Sequence, residues 1–178
     1  MSTDGQHRPG LLGIIGLAAA VACIAFIALI SFLGWGIVTG RVSETKVLAG
    51  NKLPPRLVKV VSASAGLNPG ERIIYFYSAA IMPAGDGNLL TDQRVISYVD
   101  DGTDAWCDWI AIEDIIAVNF DKSESWLDDS TIVVTSSDGS EITLYASSEG
   151  GGDVRFVDAI RKAAKLDGKV GIGGNEPP

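Results

Sequence analysis

From Leu11 to Val38 the chain runs 28 residues without an Asp, Glu, Lys or Arg, and no polar face interrupts the run. At a rise of about 1.5 Å per residue, a helix of this length reaches about 42 Å, enough to cross a hydrocarbon core of about 30 Å. The pattern predicts a transmembrane helix over 11–38 behind a short polar tail, 1–10. The apolar core of a removable signal is about 7 to 15 residues long. Ala20-Val21-Ala22-Cys23 faintly resembles a lipoprotein processing box, but Ile24 to Val38 continue apolar beyond it, so a retained anchor is expected, with Cys23 as a small hydrophobe. Gly16 with Ala20 and Ala18 with Ala22 have the small-xxx-small spacing of close helix contacts, a spacing that chance supplies in a helix this rich in Ala and Gly.

Behind the apolar run the periodicity changes. Residues 39–66 read as a juxtamembrane linker with one short helix: Pro54-Pro55 suits a first turn, Gly66 suits a left-handed cap, and Leu57, Val58, Val61 and Ala65 fall near one face. From Glu71 onward the punctuation is that of strands. Apolar or alternating runs at Arg72 to Ala80, Asn88 to Thr91, Arg94 to Val99, Ala105 to Ile112, Ile115 to Phe120, Thr131 to Ser136 and Glu141 to Ala146 are separated by turn residues, Asp138-Gly139 being a good hairpin signal. Asp153 reads as an N-cap for a closing amphipathic helix, on which Val154, Val157, Ile160, Ala164 and Leu166 recur and Arg161, Lys162 and Lys165 lie toward the C-terminal end. The Gly-rich tail, 167–178, is expected to be disordered. The expected fold class is therefore α+β, mainly β: one domain over 67–166, a small barrel of about seven antiparallel strands capped by a C-terminal helix.

Three stretches resemble a known family. Glu71-Arg72-Ile73-Ile74, then Asn88-Leu89-Leu90-Thr91-Asp92-Gln93-Arg94-Val95-Ile96, then Trp109-Ile110-Ala111-Ile112-Glu113-Asp114-Ile115 followed by Val118 look like bacterial pleckstrin-homology-like (PH-like) and GRAM-like domains. The Leu-Thr-Asp-x-Arg element is the most specific part. The resemblance implies fold roles for Thr91, Asp92 and Arg94, with the first two satisfying turn amides, and core roles for Ile110, Ile112 and Ile115. It leaves function broad, because the superfold serves lipid binding, peptide binding and scaffolding.

Charge narrows the choice. The chain has a net charge of −8, but Glu71 to Gly150 holds only three basic residues (Arg72, Arg94, Lys122) against sixteen acidic ones, a net of −13. The family's headgroup site resembles a basic cluster at the first hairpin loop, and here 80–87 has no cation. An acidic surface repels anionic headgroups and polynucleotides alike, so phosphoinositide recognition is unlikely and no nucleic acid is expected. The lone histidine, His7, excludes His-based triads and multi-His metal sites, and no cofactor, metal or catalytic residue is expected. Asp100-Asp101-Gly102-Thr103-Asp104 lacks calcium-loop spacing.

Candidate contacts remain. In a strand from Ala105 to Ile112, Trp106 and Asp108 face one side and Cys107 and Trp109 the other, which predicts one core and one exposed tryptophan and a buried, inert Cys107. Trp106 and Trp126, with the acidic loop pair Asp128 and Asp129, are the candidate partner contacts. Arg56, Lys59, Arg161, Lys162 and Lys165 are the candidate headgroup contacts of the alternative, a membrane-surface lipid sensor. The flanking cations, Arg8 on one side of the helix against Arg41, Lys46, Lys52, Arg56 and Lys59 on the other, place the domain in the cytoplasm. The expected function is a single-pass membrane-anchored, non-catalytic scaffold that binds an unknown protein partner or other copies of itself.

Overall fold

In the computed structural model, the described residues are 11–39, 44–80, 82, 85–100, 103, 105–125 and 128–166. The apolar run forms helix α1, Leu11–Val38. Its segment Ala18–Val38 is long and apolar enough to cross a membrane, and almost none of it is buried by the rest of the chain. The core helix of a soluble protein would be covered, whereas Ile24, Phe26, Ile27 and Phe32 all stand exposed. The expected tails, 1–10 and 167–178, lie outside the described residues.

Among the described residues eight strands follow, one more than the pattern predicts: β1 (Leu48–Ala49), β2 (Ile73–Tyr77), β3 (Asp86–Thr91), β4 (Arg94–Asp100), β5 (Ala105–Ala111), β6 (Ile115–Asp121), β7 (Asp129–Ser136) and β8 (Glu141–Ser147). They build two antiparallel sheets, β1-β2-β3-β4-β5 and β6-β7-β8, each a meander of neighbours in sequence. The expected hairpin between β7 and β8 is present, with Gly139 at φ +86° and the Asp138 carboxylate accepting the Ser140 amide at 2.9 Å. Gly87 pairs with Tyr98, and any side chain at 87 would run into the Tyr98 ring.

Helix α3, Gly152–Ala163, closes the space between the sheets. Phe156, Val157 and Ile160 pack there with Leu90 and Val95 from the larger sheet and Ile132, Val134 and Leu144 from the smaller. Ile110 and Ile115 are buried in this core and Ile112 packs at its margin. The cap of α3 differs from expectation: left-handed Gly151 takes that place, and Asp153 sits fully buried at the second helical position. Its carboxylate accepts the Ser130 hydroxyl at 2.7 Å and the Val154 amide at 2.8 Å, beside a helix N-terminus that favours negative charge.

The segment expected to be linker has a larger part. Helix α2, Pro55–Ser64, starts at Pro55 and is followed by Gly66 at φ +57°, as its residues suggest. It lies on the outer face of the larger sheet, where Leu57, Val61 and Ala65 join Leu48, Phe76, Leu89, Ile96 and Tyr98 in a second buried cluster. Leu89 and Leu90, adjacent in β3, thus serve opposite faces of one sheet, as the two-residue strand period requires.

Truncating the α2 face therefore opens a cavity in this second cluster. Leu57→Ala is expected to cost about 2–5 kcal/mol in denaturant unfolding of the detergent-solubilised protein, against about 0.5 kcal/mol or less for the exposed neighbour Arg56→Ala. Equal, small effects would mean that α2 is only a tether.

Candidate functional site

At one end of the larger sheet the family-like residues form a buckle. The Glu71 side chain has no solvent exposure and Arg94 only 11%. Arg94 donates to both carboxylate oxygens, Nε to Oε1 and Nη2 to Oε2, each at 3.0 Å, and Nη2 also reaches the Gly66 carbonyl at 2.8 Å. The Thr91 hydroxyl donates to Glu71 Oε1 at 2.7 Å and accepts the amides of Gln93 (3.1 Å) and Arg94 (2.9 Å) in the β3–β4 turn. Asp92 works elsewhere: its carboxylate accepts the Arg72 amide and the Arg72 Nε, both at 2.9 Å, and so clips the start of β2 to the β3–β4 turn.

These partners decide the charge states. Burial alone would raise the Glu71 pKa, but hydrogen bonds from Arg94, Asn68 and Thr91 outweigh it and hold the carboxyl below its ordinary value of 4.5. The Arg72 amide and guanidinium likewise lower Asp92. Of the three cations between Glu71 and Gly150, Arg94 is thereby held within the domain, Arg72 is paired with Asp92 at the surface, and Lys122 stands exposed.

Beside the buckle lies β5, the end strand of its sheet, with its first five residues exposed. Trp106 is 45% exposed and Trp109 54%, so neither is the core tryptophan that strand alternation predicts. The reason is position: an edge strand has a neighbour on one side only, and the smaller sheet does not cover this stretch. Cys107 is exposed too, contrary to expectation, although its thiol points at the Ala65 carbonyl (3.7 Å) and partial burial raises its pKa. The Arg94 guanidinium lies 5.2 Å from the Trp109 ring centroid, so one face of that indole rests on the buckle.

The β5 edge has a defined polarity. The Ile112 amide donates to the Gln93 carbonyl at 2.9 Å, just beyond the register Arg94↔Ala111 to Asp100↔Ala105. Because bonded and non-bonded pairs alternate in an antiparallel ladder, Ile110, Asp108 and Trp106 bond back to β4. Cys107 and Trp109 accordingly turn their N–H and C=O groups outward. An open cleft of about 850 Å³ adjoins the end of β5, lined among others by Asp92, Gln93, Arg94, Trp109, Glu113 and Lys165.

The other sequence candidates are scattered. Asp129 accepts the hydroxyl of buried Tyr77 at 2.6 Å, an internal contact that, with burial, pushes the phenol above its ordinary range; Asp128 is exposed. Trp126 lies outside the described residues. Arg56 and Lys59 are exposed on α2, Lys162 and Lys165 on and just beyond α3, while Arg161 donates to the Val118 carbonyl at 3.1 Å. The two helices pack on opposite faces of the larger sheet, so these cations do not form one patch. Among the described residues no group of three His, Cys, Asp or Glu side chains is placed to hold a metal ion.

No protein-family model and no curated protein matches the chain. Three solved structures resemble it in shape. A DUF1696 family protein with a pleckstrin-homology domain from Shewanella loihica is 14% identical, with a TM-score of 0.44 over 68% of this chain and 94% of that one. A pleckstrin homology domain from Shewanella amazonensis is 17% identical, TM-score 0.45, over 61% and 86%. The Vps36 N-terminal PH domain is 19% identical, TM-score 0.39, over 57% and 84%. The fold of the described residues after α1 is α+β, mainly β. The β2–β5 and β6–β8 meanders and the closing α3 agree with the expected antiparallel strands capped by a C-terminal helix, divided here between two sheets.

Removing Arg94 strands a buried carboxylate. Arg94→Ala is expected to destabilise the protein by about 3–5 kcal/mol in denaturant unfolding. Since the folded Glu71 pKa lies below 4.5, the pair's contribution is complete above that value and is lost as pH falls through the folded pKa. Melting curves between neutral and acid pH should therefore fall less steeply for Glu71→Gln than for the native chain; parallel curves would show that Glu71 does not titrate on unfolding.

Proposed function

We propose that the chain is a single-pass membrane protein whose PH-like domain is a non-catalytic binding module, holding a protein partner or further copies of itself at the cytoplasmic surface. The observation that carries this reading is the large excess of carboxylates over cations in the strand region, where Arg94 is held inside by Glu71 and Arg72 is paired with Asp92 at the surface. Such a surface is suited to a protein ligand and repels an anionic headgroup. Exposed Trp106 and Trp109 supply the aromatic area that protein contacts favour. Helix α1 supplies the location, and the five cations on its C-terminal flank supply the orientation. Confinement to the membrane plane would raise the effective concentration of a weakly bound partner.

Exposed Arg56, Lys59, Lys162 and Lys165 favour the second reading, a lipid sensor. Amide exchange of the full chain in nanodiscs separates the two. The protein-binding reading expects α2 and α3 to exchange alike in neutral and anionic discs; salt-sensitive protection of both helices in anionic discs alone would transfer the function to headgroups.

Exposed Cys107 reports orientation. A membrane-impermeant maleimide is expected to label it in inverted vesicles and not in intact cells, and the opposite pattern would reverse the anchor.

A further inference from the structure

Strand β5 is an edge without the usual protection. Ala105–Ala111 contains no Pro and no Lys, its register with β4 runs without a bulge, and the outward N–H and C=O groups of Cys107 and Trp109 have no backbone partner among the described residues. What could pair there is decided by charge. Asp108 stands at the middle of the edge, exposed, on the same sheet face as Trp106. A second copy would bring another Asp108 and another strongly acidic domain against it, and like charges across a strand pair are destabilising. A basic strand meets the opposite situation. Its cations on one face lie beside Asp108 and Trp106, and a cation on the other face can sit on the exposed part of the Trp109 indole, whose ring already holds the Arg94 guanidinium 5.2 Å away.

We propose that the β5 edge is the docking site for an extended basic segment of a protein partner, which adds to the larger sheet as a further strand through the main-chain groups of Cys107 and Trp109. Main-chain bonds supply affinity without sequence, and the alternating contacts with Asp108, Trp106 and Trp109 select cationic side chains. The proposal rests on the protein-binding reading above and names its surface and ligand chemistry.

The probe is a synthetic peptide, Lys-Lys-Val-Lys-Lys-Val-Lys, which as a strand carries cations on both faces, added to the full chain in neutral nanodiscs and read by amide exchange and tryptophan fluorescence. The expected result is slowed exchange at Cys107 and Trp109, binding that weakens as salt rises, and no binding of the glutamate counterpart of the peptide. Cys107→Pro removes an outward donor without touching the β4 ladder, and Asp108→Lys reverses the local charge; each should weaken binding by about tenfold or more. If Cys107→Pro perturbs the fold, Asp108→Lys and the salt dependence still decide. Failure of the lysine peptide to bind, equal binding of the glutamate peptide, or binding without protection of β5 would overturn the proposal. Protection of β5 that grows with protein concentration and no peptide would do so too, by giving the edge to a second copy. Covalent crosslinking of the full chain to a protein through another surface would, by contrast, leave the protein-binding reading standing while this edge failed.

Discussion

The Glu71–Arg94 pair is the interaction on which the rest depends. It joins four points of the chain: the Gly66 carbonyl behind α2, the entry to β2, the β3–β4 turn through Thr91, and the Trp109 ring on β5. A carboxylate removed from solvent is tolerable only because every partner it needs is supplied, by two guanidinium nitrogens, one amide and one hydroxyl. The same bonds decide what the surface can attract. The Arg94 guanidinium is engaged by the Glu71 carboxylate, the Gly66 carbonyl and the Trp109 ring, so the pair that locks the fold also withdraws one of the strand region's three cations from the surface.

Much of this architecture is legible in the residues, for reasons that are local. Alternation marks β7 and β8, Asp138-Gly139 their turn, Pro55 and Gly66 the ends of α2, and the uncharged run α1. The missing pieces are those that only tertiary structure decides. Two residues cannot show a period, so Leu48–Ala49 carries no strand signal. The apolar face of α2 is plain in sequence, but nothing there says whether it meets a bilayer or Phe76, Leu89 and Ile96. Asp153 looks like a cap, and its burial follows from Ser130, 23 residues away.

The candidate site divides along the same line. That Trp106 and Trp109 point to opposite faces follows from strand period alone, and the structure keeps that geometry. Their joint exposure does not follow, because AWCDWIA reads equally well as a central strand, and whether a strand has one neighbour or two is a property of the sheet. The Thr-Asp-x-Arg element was legible as a turn, while its arginine's grip on Glu71, 23 residues back, was not.

A membrane anchor and an acidic domain constrain each other in the proposed reading. Charge repulsion from an anionic leaflet decays over about 8 Å at physiological ionic strength, so the domain is discouraged from lying on the bilayer without being driven far from it. The residues between α1 and β1 are few, and the first elements after them, β1 and α2, are packed into the larger sheet, so in this reading the domain stays near its anchor. A body held near the membrane but repelled from it keeps its outer surfaces, the β5 edge among them, open to other proteins. Strand addition at one edge is a modest interaction that must offset the cost of ordering a peptide, and in this reading confinement of the domain to one plane raises its effective concentration toward a partner at the same surface.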